Sequence, residues 1–405
     1  MFFSDDNSLM KKNLLALLCI CLIMALSLEM TWRVFHPFGA KISFSTPDPE
    51  TAWRFRPGQK YWFFKENDHS VEGRINSFGW KDREWSLLKP PGTCRVAVLG
   101  DSFVESLQLE ADKNFLSLTQ QNLAGRLPCQ IEVMNFGRSE ATQTEELLFL
   151  NKDVLRFNPD IIVLLFYPPN DIRDVTAETA WFARPFYKVS ENGSLLLDTS
   201  YKETRQFKLR KLIDPIKRQS AFISWLIERL NSLKVETSKQ ITNTGGSAGK
   251  LHGYLSLATS QPDPIYVNAY KLNKRLIKEM ADISKSKGIK FILMSTDIPA
   301  YIPEVEQTYK KISPDFTPEF FDNDLKEFSR GIGIEFIGLE EPFSQAYKAD
   351  QKPLHWGFAL ENKIPRLGYE EHGGHWNYAG HQKTAVLLSG KLQEILSGKE
   401  KSRAE

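Results

Sequence analysis

The stretch that most constrains the fold is Arg95-Val96-Ala97-Val98-Leu99-Gly100-Asp101-Ser102-Phe103. An apolar, β-branched run stops at Gly-Asp-Ser and passes at once into a helical pattern. A short run apolar throughout reads as a strand buried on both faces, as in a parallel sheet with a crossover helix behind it. The serine then stands at the carboxyl end of a strand and the amino end of a helix. Open α/β sheets place their ligands at that edge, and unpaired N–H groups with the helix dipole favour a developing oxyanion there. Gly100 lets the chain turn tightly and leaves the hydroxyl accessible. The tripeptide alone supports two readings, a helix cap supplied by Asp101 or Ser102 and a nucleophilic serine.

Three later segments bear on that choice. Gln130 to Gly137 reads as a second strand ending in glycine, and Asp160 to Tyr167 as a third, followed by Pro168-Pro169-Asn170-Asp171. Near the C-terminus stands His372-Gly373-Gly374-His375-Trp376-Asn377-Tyr378-Ala379-Gly380-His381. Lys290 to Ser295 and Glu335 to Leu339 supply a fourth and a fifth strand. Helical patterns alternate with them, as at Thr142 to Phe157, and Gly125 and Gly288 sit where helices stop. The alternation predicts an α/β sandwich around a parallel sheet.

Serine after the first strand, glycine after the second, asparagine after the third and a late histidine resemble the four blocks of the SGNH (GDSL-type) hydrolases. The resemblance covers roughly residues 94–395 and extends loosely into Arg74 to Trp80, as in membrane-anchored members. It implies a three-layer sandwich with a five-stranded sheet in the order 2-1-3-4-5. It also implies Ser102 as nucleophile, His375 as general base, and an oxyanion hole from the N–H groups of Ser102 and Gly137 with the Asn170 amide. The residue types suit the chemistry: a serine hydroxyl needs an imidazole to take its proton, and a neutral amide donates without carrying charge. Two departures stand out. Pro168 occupies a position that is usually glycine. The aspartate usual two or three residues before the histidine is replaced by Gly373 and His372, leaving Glu370 and Glu371 as the nearest acids. Either Glu371 orients His375, a backbone carbonyl does so, or activity is weak or lost.

Other readings of the histidines are weaker. His372, His375 and His381 lack the four-residue spacing and intervening glutamate of a helical zinc motif, so no metal is expected. His381 reads as structural, on a helix capped by Asn377. His355, beside Trp356, is the reserve candidate for the base, while His36, His69 and His252 belong to no constellation. Phosphate loops, dinucleotide fingerprints and metal motifs are missing, so no cofactor is expected, and the missing G-x-S-x-G elbow argues against the neighbouring α/β-hydrolase fold.

In 405 residues, 52 Lys and Arg face 50 Asp and Glu, a balance that argues against a nucleic-acid partner. Lys11-Lys12 precedes an uncharged run from Leu14 to Leu28, short for a span of about 20 residues and suited to a signal peptide. Extension through Met30-Thr31-Trp32 favours an anchor with a cytoplasmic tail. Either way the catalytic domain lies outside the cytoplasm. The expected organisation is 1–32 tail and membrane segment, 33–90 a small aromatic-rich lobe (Trp53, Phe55, Tyr61, Trp62, Phe63, Phe64) and linker, and 91–398 the hydrolase domain.

In the sheet order that the resemblance implies, the first two strands are neighbours about 4.8 Å apart. Cys94 and Cys129 then fall at one edge, and a Cys94–Cys129 disulfide is expected in an oxidising compartment. Residues 173–264 form an insertion containing a hairpin around Asn192-Gly193, a basic piece from Lys202 to Lys217, an amphipathic helix from Ala221 to Leu233 and a Gly/Ser-rich segment from Thr242 to Lys250. It suits a substrate lid or a membrane- or partner-facing decoration. The favoured function is hydrolysis of an O-acyl ester on an extracytoplasmic carbohydrate. Acyl transfer to an exopolysaccharide and a degenerate glycan-binding domain are the alternatives.

Overall fold

A computed structural model describes residues 5–35, 44–63, 71–227, 229–230, 250–356 and 374–398. Five strands form the central sheet: β5 (Thr93–Gly100), β6 (Gln130–Gly137), β7 (Ile161–Phe166), β10 (Lys290–Ser295) and β11 (Glu335–Gly338). They lie in the order β6-β5-β7-β10-β11, every neighbouring pair parallel. Counted from β5, this is the order 2-1-3-4-5 expected above.

Strand alternation divides the core into two layers. Ala97, Leu99, Phe136, Leu164 and Leu293 face one side, where they meet α4 (Gln143–Lys152), α7 (Pro264–Ser286) and α9 (Phe320–Ile332). Tyr309 of α8 (Pro303–Ile312) joins the same cluster. Val96, Val98, Val133, Val163 and Ile292 face the other side, against α3 (Phe115–Leu123), α10 (Glu340–Asp350) and α11 (Tyr378–Leu396). Because both faces are covered, the strands read as continuous apolar runs. Each fully buried Val, Leu or Ile contributes about 1.5–3 kcal/mol.

The order puts β5 beside both β6 and β7, so their carboxyl ends lie together at the topological switch point. At the opposite end of β5 and β6, Cys94 and Cys129 form the expected disulfide, with Cα atoms 5.7 Å apart. The Arg95 guanidinium, fully buried, binds the carbonyls of Ser86 and Phe157, each at 2.8 Å, and the Glu132 carboxylate at 2.6 Å. The stretch read as a linker is therefore pinned to the sheet.

Some elements differ from the sequence expectation. The helix anticipated from Thr142 to Phe157 ends at Lys152, and a 3-10 turn, Val154–Phe157, follows it. Asn158 stops that turn at φ +50° before Pro159, a conformation asparagine tolerates better than most residues. The basic piece divides into a 3-10 turn, Ser200–Glu203, and α6 (Arg205–Gln219), capped by Thr204. The hairpin forms from β8 (Phe186–Val189) and β9 (Leu195–Asp198), with Gly193 at φ +81°.

The described part of the helix predicted from Ala221 is helical at 221–227 and 229–230, and residues 242–249 lie outside the described set. Upstream, β1 (Ser45–Asp48) pairs with β2 (Ala52–Phe55), and β3 (Lys60–Phe63) with β4 (Val71–Arg74). Phe44, Trp53, Phe55, Tyr61 and Phe63 cluster there with Ile75 as a small core. Phe64 and His69 lie outside the described residues. The N-terminal helix α1 runs Asp5–Phe35, and Lys12–Phe35, with mean hydropathy 2.4, is long and apolar enough to cross a membrane.

Candidate active site

At the end of β5 the cap reading of Gly-Asp-Ser falls on Asp101. Asp101 is the cap of α2 (Ser102–Glu105), its Oδ1 accepting the Phe103 N–H at 2.9 Å. That leaves the Ser102 hydroxyl to other work, and Ser102 Oγ lies 2.7 Å from His375 Nε2. Ser102 and His375 are both half-buried. The ring of Phe103 packs against His375 (5.0 Å between centroids), Tyr167 (4.5 Å) and Trp376 (4.8 Å), so an apolar platform sits beneath the pair. Gly100 has no room for a side chain: a Cβ there would fall 2.4 Å from Val104 Cγ2.

Asn170 lies in α5 (Pro168–Asp174), immediately after β7. Its Nδ2 donates to Asp101 Oδ2 at 2.8 Å. Asp101 thus ties the serine helix to the asparagine, and one of the two amide N–H groups holds that bond. Burial pushes the Asp101 carboxyl up to about 6, opposed by the Phe103 N–H, by the nearby His375 and by Asn170.

Gly137, at the end of β6, requires a correction. Its N–H donates to Asn135 Oδ1 at 2.8 Å, so it is already committed. The missing side chain serves close approach instead, since a Cβ on Gly137 would lie 2.2 Å from Glu105 N. The turn behind Gly137 packs onto the serine helix through other bonds. Arg138 N–H donates to Gly100 O at 3.1 Å, and Ser139 Oγ donates to the buried Glu105 carboxylate. Glu140 then adopts φ +60°. Burial raises Glu105 to about 7, against the hydrogen bonds from Ser139.

The acid expected near His375 also changes. Glu370, Glu371, His372 and Gly373 lie outside the described residues, so Glu371 has no assigned position. A buried acid does reach the histidine segment from the sheet. Asp297, two residues beyond β10, accepts the Trp376 indole N–H on Oδ1 at 2.9 Å. Its Oδ2 is 3.5 Å from His355 Nε2. Burial pushes Asp297 up to about 8, against the Trp376 bond.

His355, the reserve base, pairs as an isolated bridge with Trp376 and bonds the Tyr301 hydroxyl at 3.0 Å. It is buried, and burial lowers its pKa to about 3, keeping it neutral. His381 is also buried and accepts the Phe115 N–H on Nδ1 at 3.2 Å. Asn377 caps α11 as anticipated. Sequence reasoning missed Asp297 and Glu105. The available signals were an aspartate just past a strand and an acid one turn beyond the serine.

No family model matches the chain. It is 26% identical over 153 residues to one of the subunits of the glutamyl-tRNA(Gln) amidotransferase of Thermoplasma volcanium, a match over 36% of this chain and 25% of that protein. The chain therefore spans about a quarter of that relative's length, and no activity carries across. Among solved structures it is similar to the lipase/acylhydrolase of Enterococcus faecalis (12% identity, 75% of this chain, 97% of that one, TM-score 0.37). It is also similar to a GDSL-like lipase of Bacteroides thetaiotaomicron (14%, 75%, 89%, 0.32) and the acetyl xylan esterase AlAXEase (13%, 74%, 99%, 0.38). These likenesses are too distant to transfer a substrate. The five-stranded parallel sheet in the order 2-1-3-4-5 and the Ser102–His375 contact are the arrangement that the resemblance to the SGNH/GDSL-type hydrolases implies.

Proposed function

We propose that the chain is a serine esterase that removes an O-acyl group from an extracytoplasmic carbohydrate. The observation that carries this reading is the 2.7 Å contact between Ser102 Oγ and His375 Nε2, the separation at which an imidazole takes a hydroxyl proton. Ser102 attacks the ester carbonyl while His375 accepts its proton. The alcohol leaves with that proton, and water enters by the same base to release the acid.

The tetrahedral oxyanion is held by the Ser102 N–H at the start of α2 and by the second N–H of Asn170. The third donor that the resemblance implies, the N–H of Gly137, is engaged by Asn135 Oδ1 in this structure. Each such donor is worth about 3–4 kcal/mol of barrier.

The carbohydrate assignment is supported by location. Helix α1 is read as a membrane anchor with Lys11 and Lys12 on the cytoplasmic side, which places the hydrolase domain outside. A fluorophosphonate probe tests the reading. Covalent labelling of the wild-type chain at Ser102, abolished by Ser102→Ala and His375→Ala, is the expected result. A folded wild-type protein that takes no label sinks the esterase reading.

A further inference from the structure

We propose that α6 of the insertion lies on the surface of the lipid bilayer, with Leu209, Leu212 and Ile216 set into the headgroup boundary. The proposal rests on the reading of α1 as a membrane span and deepens it. Leu209, Leu212 and Ile216 are 55%, 73% and 51% exposed. Their spacing of three and four residues aligns them as one stripe along the helix. The opposite side is fixed to the protein: Phe207 and Asp214 are buried, and Asp214 accepts bonds from Arg56 at 2.7 Å and Thr46 at 2.9 Å. The stripe therefore turns outward.

Continuity with α1 identifies what covers it. Arg33, near the end of the apolar run, donates to the carbonyl of Gln219, the last residue of α6, at 2.6 Å. Glu29 accepts Ser220 Oγ at 2.7 Å and the N–H groups of Ala221 and Phe222 at 2.9 and 3.2 Å. Trp32 packs on Phe222 and Trp225, with centroids 5.2 and 4.5 Å apart. Tryptophan rings concentrate at the membrane–water boundary. One end of α6 is thereby tied to the level at which α1 leaves the lipid.

The helix itself carries six basic residues against Asp214 alone, RQFKLRKLIDPIKRQ. An outward apolar stripe with Lys and Arg beside it is the pattern of an interfacial helix, and the basic side chains suit anionic lipid phosphates. This puts the insertion under the hydrolase domain as a second foot on the membrane.

The test uses the full chain reconstituted into phosphatidylcholine/phosphatidylglycerol vesicles. An environment-sensitive dye is attached at Leu212→Cys in a Cys19→Ser, Cys21→Ser background, and at Lys278→Cys in the same background as a water-exposed reference. A third preparation carries the dye at native Cys19 in α1, with Cys21→Ser. Replacing Leu212, 73% exposed, leaves the core untouched. Nitroxide placed shallowly on the acyl chains is expected to quench the Leu212 dye about twofold or more relative to the Lys278 dye, as interfacial burial requires.

Quenching at Cys19 without quenching at Leu212 overturns the proposal while leaving the span intact. A dry but unquenched Leu212 dye also overturns it, since the stripe would then be covered by protein. An unquenched Cys19 dye removes the span and the proposal together.

Discussion

Two strands of the same sheet end in a buried aspartate, and the two aspartates do different work. Beyond β5, Asp101 caps the serine helix and holds Asn170 through its second oxygen. Beyond β10, Asp297 holds Trp376, the neighbour of His375 in the chain. Both carboxyls are raised by burial, to about 6 and about 8. The first holds, through local contacts, the serine proposed as nucleophile and the asparagine proposed as an oxyanion donor. The second anchors the histidine segment across a long sequence separation. The sheet edge, rather than any single motif, thus supplies the acids that arrange this site.

The pair served by both aspartates defines the upper limit of any effect. Ser102→Ala and His375→Ala should each lower ester turnover about 10³-fold or more, read by steady-state hydrolysis of a p-nitrophenyl ester. Retained turnover in either variant would show that neither aspartate serves a catalytic pair.

The β5 side should show the next largest loss. Asp101→Asn keeps an acceptor for the Phe103 N–H but sets two amide donors against each other at Asn170. A drop in kcat of about 10²-fold at nearly constant KM is expected, as for one mispositioned oxyanion donor. A change confined to KM would contradict that role.

On the β10 side the effect should be smaller because Asp297 acts through Trp376. Asp297→Ala should lower kcat about 10-fold through looser placement of His375, while Asp297→Asn, which retains the acceptor for the indole, should restore most of it. Equal losses in both variants would assign Asp297 a charge role instead.

The same residue has a signature in stability. Its folded pKa lies above the ordinary carboxyl value of about 3.9, so the folded chain keeps a proton that the unfolded chain releases. That contribution is complete below about pH 4 and lost as pH rises towards about 8. Thermal melts of Asp297→Asn should therefore be flatter across that window than those of the wild type, and parallel curves would refute the raised value. The smallest effect belongs to the turn beside α2. Glu140→Gly should stabilise by about 1 kcal/mol by relieving the left-handed backbone at φ +60°, a gain visible as a higher Tm.

Much of this was legible in the residues. Continuous apolar runs ending in glycine or polar turns announced buried parallel strands, and the fourth strand was placed at Lys290 to Ser295 as found. Ser102 stood out because strand, tight turn and helix start follow without a gap. Asp297 was not legible, since nothing local marks an aspartate after a strand as the partner of an indole near the C-terminus. Gly137 misled for a similar reason: a glycine after a strand signals either a free N–H or a close approach, and only the position of Asn135 and the serine helix separates them.

By itself, then, the chain's chemistry determined the strand–helix alternation, the sheet edge that carries the serine and the end of the chain that carries the histidine. Those properties are written in hydrophobic period and turn residues, which act over a few positions. Tertiary structure alone decided that His375 rather than His355 meets Ser102, that Asp297 reaches Trp376, and that the apolar stripe of α6 faces outward. Each depends on which side chains packing brings together across many residues, and a one-dimensional pattern does not carry that information.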